Sequence, residues 1–133
     1  MRRLLPAIGF ACLSTVPALS QDWDCTKAGD LPQQGMNYCA AQDYARADDA
    51  LNAAWPKVRA HMREADSWQE ESLKGAEAAL LKAQRAWIDY RDGQCESEGF
   101  YARGGSLEPL LVATCMARLT RERTEELLLL MQE

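Results

Sequence analysis

Apolar residues recur along most of the chain at alternating intervals of three and four, which is the spacing of one face of an α-helix. The first run predicts an amphipathic helix from about Asn37 to Arg63, with Asn37 as its N-cap. Pro56 lies inside this run, and because proline lacks an amide donor we expect a kink or a break there. The apolar positions of this run are Ala40, Tyr44, Ala47, Leu51, Ala54, Val58 and Met62.

Two more helical runs follow the first one. The residues from Ser67 to Glu70 match a capping box, in which the serine and glutamate side chains satisfy free amides, so we expect a second helix from there to about Phe100. Gly104-Gly105 ends that unit, and Ser106 is placed to cap a third helix from about Leu107 to Met131. No strand-like alternation is visible. The pattern predicts an all-α fold, a small three-helix array.

Three polar side chains interrupt the apolar faces of the second and third helices. Gln84 and Arg91 share a helical stripe with apolar residues, and Arg123 lies four residues from leucines on both sides. An arginine near a core needs a partner, because an unpaired buried charge costs several kcal/mol. One interpretation makes the arginines anion-binding groups in a cleft. We favour structural ion pairs that fix helix register, with candidate partners Asp43, Asp92 and Glu126.

The first twenty residues are typical of a secretory signal peptide. Arg2 and Arg3 give a basic start, an apolar run follows, and the small residues Ala18 and Ser20 predict cleavage after Ser20. Residues 1–20 are therefore expected to leave a single mature domain, 21–133, in the periplasm or outside the cell. A lipoprotein anchored at Cys12 is disfavoured, since the preceding segment lacks the usual leucine three positions before the cysteine.

The four remaining cysteines are expected to form two disulfides, as is common in small exported domains. Three pairings are possible. We favour Cys25–Cys39, which closes a loop before the first helix, and Cys95–Cys115, because these two flank the predicted turn at nearly equal distances. The cysteines lack the close paired spacing of a zinc site, and His61 is the single histidine, so neither a metal nor another cofactor is expected.

The formal charge of −5 changes to −7 when Arg2 and Arg3 leave with the signal peptide. An acidic surface repels phosphates and anionic headgroups, which disfavours nucleic acid and membrane docking and favours a basic protein partner. No segment after the signal peptide is apolar enough to span a bilayer.

Catalytic signatures are missing from the sequence. His61 is isolated, no glycine-rich phosphate loop follows a strand, and no cysteine stays free if both disulfides form. The adjacent carboxylates Asp48-Asp49 and Glu70-Glu71 point to different sides of a helix, unlike a glycosidase pair. We therefore expect no enzymatic activity and name no catalytic residue.

Five segments of the chain together resemble the lysozyme inhibitor LprI-like family: Met36–Cys39, Ala50–Asn52, Gln84–Cys95, Gly104–Ser106 and Cys115–Arg123. The resemblance covers nearly the whole mature chain. It implies an exported bacterial helical domain with two disulfides. It also implies that a set of polar and aromatic residues are family features, which we interpret as structural: Asn37, Gln84, Trp87, Arg91, Asp92 and Arg123.

Two functions remain open. The resemblance implies a lysozyme inhibitor that binds and occludes the enzyme. A blocking loop needs backbone that can enter a cleft and a charge to pair with a carboxylate, so Arg103, Gly104, Gly105 and Ser106 are candidate contacts, although the two glycines also suit a simple turn. The alternative is a periplasmic module that binds another protein or a cell-wall fragment. That module should show an exposed aromatic patch around Trp23, Trp68 or Phe100-Tyr101. The oligomeric state is left open.

Overall fold

The computed structural model describes residues 22–132, which form three long α-helices. Helix α1 spans Gln33–Ser67, α2 spans Ala76–Gly99 and α3 spans Glu108–Leu129. Three short 3-10 helices, Cys25–Asp30, Glu71–Leu73 and Phe100–Ala102, precede or connect them. No β-strand occurs between residues 22 and 132, so the all-α, three-helix fold predicted from the periodicity is confirmed.

The core lies along α3, which packs extensively against α1 and also against α2. One buried cluster consists of Cys95, Cys115 and Leu119. The other lies farther along the bundle and joins all three helices through Leu51, Val58, Leu80 and Leu127. Direct packing between α1 and α2 is sparser, which leaves a groove between these two helices.

Both favoured disulfides are present. Cys25–Cys39 ties the first 3-10 helix to α1, and Cys95–Cys115 joins the end of α2 to the start of α3. We call the end of the bundle that carries both bridges the disulfide end. With all four of these cysteines paired, none is free to ligate a metal.

The start of α1 differs from the prediction. The helix begins at Gln33, four residues early, and Asn37 lies inside it instead of capping it. The Asn37 side chain accepts a hydrogen bond from Gln33 Nε2 (2.7 Å), and its Nδ2 donates to Ser106 O (2.9 Å). Asn37 therefore ties α1 to the connection between α2 and α3.

Of the kink or break expected at Pro56, the break is wrong, because α1 continues through this residue without interruption. The missing amide of Pro56 leaves the carbonyl of Asn52 without its helical donor. Both residues are exposed, so water can satisfy that carbonyl. Packing of α1 against α3 on its other side then holds the helix together.

The capping box predicted from Ser67 to Glu70 does not exist. Ser67 is the last residue of α1, and α2 begins nine residues later at Ala76. The cap of α2 is Asp66, whose Oδ1 accepts from the amides of Gly75 (2.7 Å) and Ala76 (2.8 Å) and whose Oδ2 accepts from the amide of Glu77 (3.0 Å). A side chain at the end of one helix thus completes the next.

The predicted signal peptide, including Cys12, lies outside the described residues. Between residues 22 and 132, no helix combines the length and the apolar character needed to cross a membrane. Within the same range no group of three potential metal-ligating side chains occurs.

Replacement of Asp66 by alanine should destabilise the fold in a pH-dependent way. Three amide donors hold the pKa of Asp66 below its ordinary value. The carboxylate therefore stabilises the fold above its unfolded-state pKa of about 4, and this stabilisation is lost as the pH falls through the lower folded-state pKa. Thermal melts should show Asp66→Ala below wild type at pH 7, with the gap closing in acid. Asp49→Ala, an exposed α1 control, should show no such gap.

Replacement of Thr120 by valine should stabilise the protein. Thr120 is fully buried, and its Oγ1 has no hydrogen-bond partner among the described residues. Valine keeps the shape and removes the unsatisfied hydroxyl, so urea denaturation should show a gain of about 1 kcal/mol. Thr124→Val is the matched control, because the Thr124 hydroxyl donates to Thr120 O at 2.8 Å and its loss should bring no gain. A destabilised Thr120→Val protein would contradict this account.

Candidate functional site

The connection between α2 and α3, residues 100–107, protrudes at the disulfide end, and we call it the hairpin tip. It is held at its base by the Cys95–Cys115 bridge. A Cβ atom added at Gly99 would lie 2.6 Å from Val112 Cγ2, so α2 and α3 approach as closely here as a glycine permits. The hairpin tip therefore stands on a rigid pair of helices.

Arg103 is fixed within the hairpin tip but keeps part of its charge in solvent. Its Nη1 donates to Glu108 Oε1 at 2.9 Å and lies 3.9 Å from Glu96 Oε1. Its guanidinium carbon lies 4.3 Å from the centroid of the Phe100 ring. The side chain is still 55% exposed, so it can meet a partner without a large rearrangement.

The two glycines of the hairpin tip shape its backbone. Gly104 has φ +77°, a left-handed conformation that favours glycine, and its amide donates to Glu108 Oε2 at 2.7 Å. Glu108, and not Ser106, thus organises the start of α3, and the predicted Ser106 cap is wrong. Ser106 contributes its carbonyl to Asn37 instead. The four loop residues named from the sequence lie together here as one short segment.

The aromatic residues proposed as anchors have different environments. Tyr101 is 90% exposed and Phe100 is also exposed, so both extend the surface of the hairpin tip. Trp68 is 80% exposed, after the end of α1 and away from the disulfide end. Trp23 is half-buried, and a Cβ at Gly35 would meet its ring at 2.9 Å, so the expectation of an exposed anchor there is wrong.

A second candidate site is the α1–α2 groove, an open depression of about 330 Å³. Helix α1 lines it with Asp48, Leu51, Asn52 and Trp55, and α2 lines it with Leu81, Gln84, Arg85, Trp87, Ile88 and Arg91. Three of the polar and aromatic family-motif residues named from the sequence therefore meet in one place: Gln84, Trp87 and Arg91.

Arg91 lies at one end of the α1–α2 groove with its side chain only 11% exposed. Its Nε and Nη2 both lie 2.9 Å from Asp92 Oδ1, which was one of the expected partners. Its guanidinium also lies 5.0 Å from the Trp87 ring centroid and 5.7 Å from that of Tyr44. The charge is thus held between a carboxylate and two aromatic rings.

Gln84 connects the α1–α2 groove to α3. Arg123 donates from Nε to Gln84 Oε1 at 3.0 Å and from Nη1 to Glu126 Oε2 at 2.9 Å. Asp43, the remaining expected partner, pairs instead with Arg46 and Arg121. The polar residues that interrupt the apolar stripes, Gln84, Arg91 and Arg123, therefore contact side chains on neighbouring helices.

The α1 side of the groove was not identified from the sequence. Asp48, Asn52 and Trp55 follow a spacing of four and three, which places them on one side of α1. That spacing was a usable signal, but it does not reveal which other helix faces them. Tyr101 was named only for the alternative function, although it lies next to the proposed contact loop.

Comparison with known proteins identifies the family. The sequence model of the family described as lysozyme inhibitor LprI matches residues 25–127, most of the chain. The chain belongs to the LprI family. Its resemblance to LprI proteins, stated from the sequence motifs, is thereby confirmed. The match begins at the first cysteine of the Cys25–Cys39 bridge and ends at the buried Leu127, so it covers the helical bundle described above.

Two relatives of this LprI chain come from bacteria. The uncharacterized protein R02472 of Rhizobium meliloti (strain 1021) is 49% identical over 137 residues, covering 99% of this chain and 97% of the relative. The uncharacterized protein YecT of Escherichia coli (strain K12) is 27% identical over 82 residues, covering 61% of this chain and 51% of the relative. No solved structure matches. The functional indication therefore comes from the LprI family as a whole.

Proposed function

We propose that this chain is an exported bacterial protein that binds a lysozyme and occludes its sugar cleft, with no chemistry of its own. The observation that carries the proposal is the LprI family match over residues 25–127. Within the described residues, all four cysteines are in disulfides and no cluster of metal-ligating side chains occurs. These features suit a binding protein.

Export is part of the same proposal. Residues 1–20 have the composition of a secretory signal peptide, and cleavage after Ser20 would leave the domain 21–133. Two disulfides are expected to persist in the periplasm or outside the cell but not in a reducing cytosol. We therefore place the protein where it could meet either a host lysozyme or one of the bacterium's own enzymes.

Charge supports a lysozyme as the partner. The chain carries −5 as written and −7 without its first twenty residues, while many lysozymes are strongly basic. Opposite net charges raise the association rate, and salt screens this effect. Charge favours a class of partner here, and the family match points to the identity of the partner.

The hairpin tip is the contact surface we propose. It is tied at its base by the Cys95–Cys115 bridge and offers Tyr101 as an exposed aromatic anchor. Gly104 and Gly105 allow a close backbone approach, and the exposed part of Arg103 can face a carboxylate in the enzyme's cleft. Ser106 completes the segment, held by Asn37.

A second candidate function is a periplasmic module that binds another envelope protein. One observation favours it, because Trp68 and Leu73 are both strongly exposed in the connection between α1 and α2. Exposed apolar groups close together in the chain are typical of interaction surfaces. This connection and the hairpin tip lie at opposite ends of α2, so variants can separate the two functions.

The first test is a titration of the purified, oxidised domain 21–133 against lysozymes of several classes, with cell-wall hydrolysis as the readout. We expect saturable inhibition of at least one class, and weaker inhibition at moderate than at low salt. Absence of inhibition by a protein shown to be folded and disulfide-bonded would contradict the proposal and favour the envelope module.

Variants of the hairpin tip should weaken inhibition without unfolding the protein. We expect Tyr101→Ala to raise the inhibition constant at least about fivefold, and Arg103→Gln to raise it several-fold, because an exposed anchor and a cleft-facing charge are lost. Melting temperatures should change by no more than about 3 °C. Arg103→Glu is less suitable, since it adds a carboxylate beside Glu96 and Glu108.

Matched controls lie away from the disulfide end. Trp68→Ala removes an aromatic side chain that is also strongly exposed, and Arg63→Gln removes an exposed arginine that pairs with Glu77. Both should inhibit as well as wild type. Normal inhibition by Tyr101→Ala and Arg103→Gln, together with a loss in Trp68→Ala, would reject the hairpin tip as the contact surface.

A further inference from the structure

Two hydrogen-bond donors at the α1–α2 groove, Gln84 Nε2 and Arg91 Nη1, have no partner within hydrogen-bond distance in residues 22–132 and remain accessible to solvent. Because Gln84 Oε1 accepts from Arg123, the Gln84 amide nitrogen faces away from that arginine, and it makes no hydrogen bond to a described residue. Gln84 is only 7% exposed. The acceptor that Arg91 Nη1 faces is Asp48 Oδ1, and their separation of 3.9 Å is too long for a hydrogen bond. Accessible donors that line a groove can bond to a ligand, so the groove is suited to a ligand that offers acceptors.

The spacing of these donors sets the length of that ligand. Gln84 and Arg91 are seven residues apart on α2, which places them about 10 Å apart along the helix axis. Trp87 lies between them in the sequence, and Trp55 enters the groove from α1. A fitting ligand therefore carries acceptors near both ends and an apolar face that packs against indole rings.

The α1 side of the groove offers fixed acceptors. Asn52 Nδ2 donates to Asp48 Oδ2 at 2.9 Å, which orients both side chains. Asp48 Oδ1 lies 3.9 Å from Arg91 Nη1, so neither this oxygen nor Asn52 Oδ1 accepts a hydrogen bond from a described residue. Acceptors on α1 opposite donors on α2 match hydroxyl groups, which donate and accept at once. The carboxylates of Asp48 and Asp92 balance the charges of Arg85 and Arg91, so the groove has no net charge to attract a phosphate or another multiply charged anion.

The size and lining of the groove limit the choice further. A volume of about 330 Å³ lies at the lower end of the range for small-molecule sites, and the lining mixes apolar walls with a few convergent polar groups. Such a site holds one or two sugar rings.

We propose that the α1–α2 groove binds a neutral N-acylated amino sugar, alone or within a short oligosaccharide. The acyl carbonyl accepts from Gln84 Nε2, the C–H face of the ring packs on the indole of Trp55, and hydroxyl groups bond to Asp48, Asn52 and Arg91 Nη1. The acyl group distinguishes this ligand from a plain sugar, and the hydroxyl groups distinguish it from a peptide. This proposal does not depend on lysozyme inhibition.

The test is an NMR titration of the oxidised, ¹⁵N-labelled domain 21–133 with chitotriose, a neutral chain of N-acetylglucosamine. We expect saturable shifts of the Trp55 and Trp87 indole N–H signals, with those of Trp23 and Trp68 unchanged. Cellotriose, which has the same rings without acyl groups, should bind more weakly. Equal binding of cellotriose, stronger binding of a neutral tripeptide at the same indoles, or no saturable shift would each overturn the proposal.

Two variants test the assigned contacts. Gln84→Glu keeps the oxygen that accepts from Arg123 but removes the donor, so chitotriose affinity should fall roughly tenfold. Asn52→Ala, on the exposed side of α1, should also weaken binding and is expected to fold normally. Trp68→Phe, away from the groove, is the control and should bind like wild type. Wild-type affinity in a folded Asn52→Ala or Gln84→Glu protein would overturn the assignment.

Lysozyme inhibition by the same variants separates this proposal from the proposed function. Gln84→Glu and Asn52→Ala leave the hairpin tip unaltered, so their inhibition constants should equal that of wild type. Loss of sugar binding with full inhibition is the expected result. Loss of inhibition in step with loss of sugar binding would overturn the separation of the two sites.

Discussion

The Cys95–Cys115 bridge is the constraint on which most of the structure depends. Both cysteines are buried, and they form one core cluster with Leu119. The bridge closes a loop of 20 residues, a constraint that contributes about 3 kcal/mol through the unfolded chain. It holds α2 against α3 beside the hairpin tip and keeps Gln84 in register with Arg123. The bridge therefore contributes both to the rigidity of the hairpin tip and to the polar contacts between α2 and α3 deeper in the bundle.

The helices were predictable from the sequence because each buries an apolar stripe, and a stripe has a period that can be read without coordinates. Their starts were less predictable. α2 is capped by Asp66 from the preceding helix, and Asn37 bonds to Ser106 across 69 residues. Local capping rules consider only the residues next to a helix end, so they selected Ser67 and Asn37 itself. Tertiary contacts determined both the cap of α2 and the role of Asn37. Tertiary packing likewise keeps α1 continuous at Pro56.

The two candidate sites also differed in how far the sequence could predict them. The hairpin tip is a contiguous segment, so the glycines and Arg103 could be named from the sequence. The α1–α2 groove depends on the distance between two helices, which no local pattern contains. Breaks in the apolar stripe did identify Gln84 and Arg91 as unusual. Asp92 and Glu126 could be named as arginine partners because each lies within three residues of its arginine. The contact of Arg123 with Gln84 and that of Asp43 with Arg121 required the fold.

The hairpin tip and the groove share α2 but leave room for separate ligands. Arg91 and Phe100 are nine residues apart, which is about 13 Å along a helix axis. A sugar in the groove would therefore leave the tip accessible. If both proposals hold, binding to acylated glycan would concentrate the inhibitor on the polymer that a lysozyme degrades, and the effective concentration at the enzyme would rise without any new protein contact. Weak sugar binding would be sufficient for this effect, because a cell wall presents the same sugar unit many times.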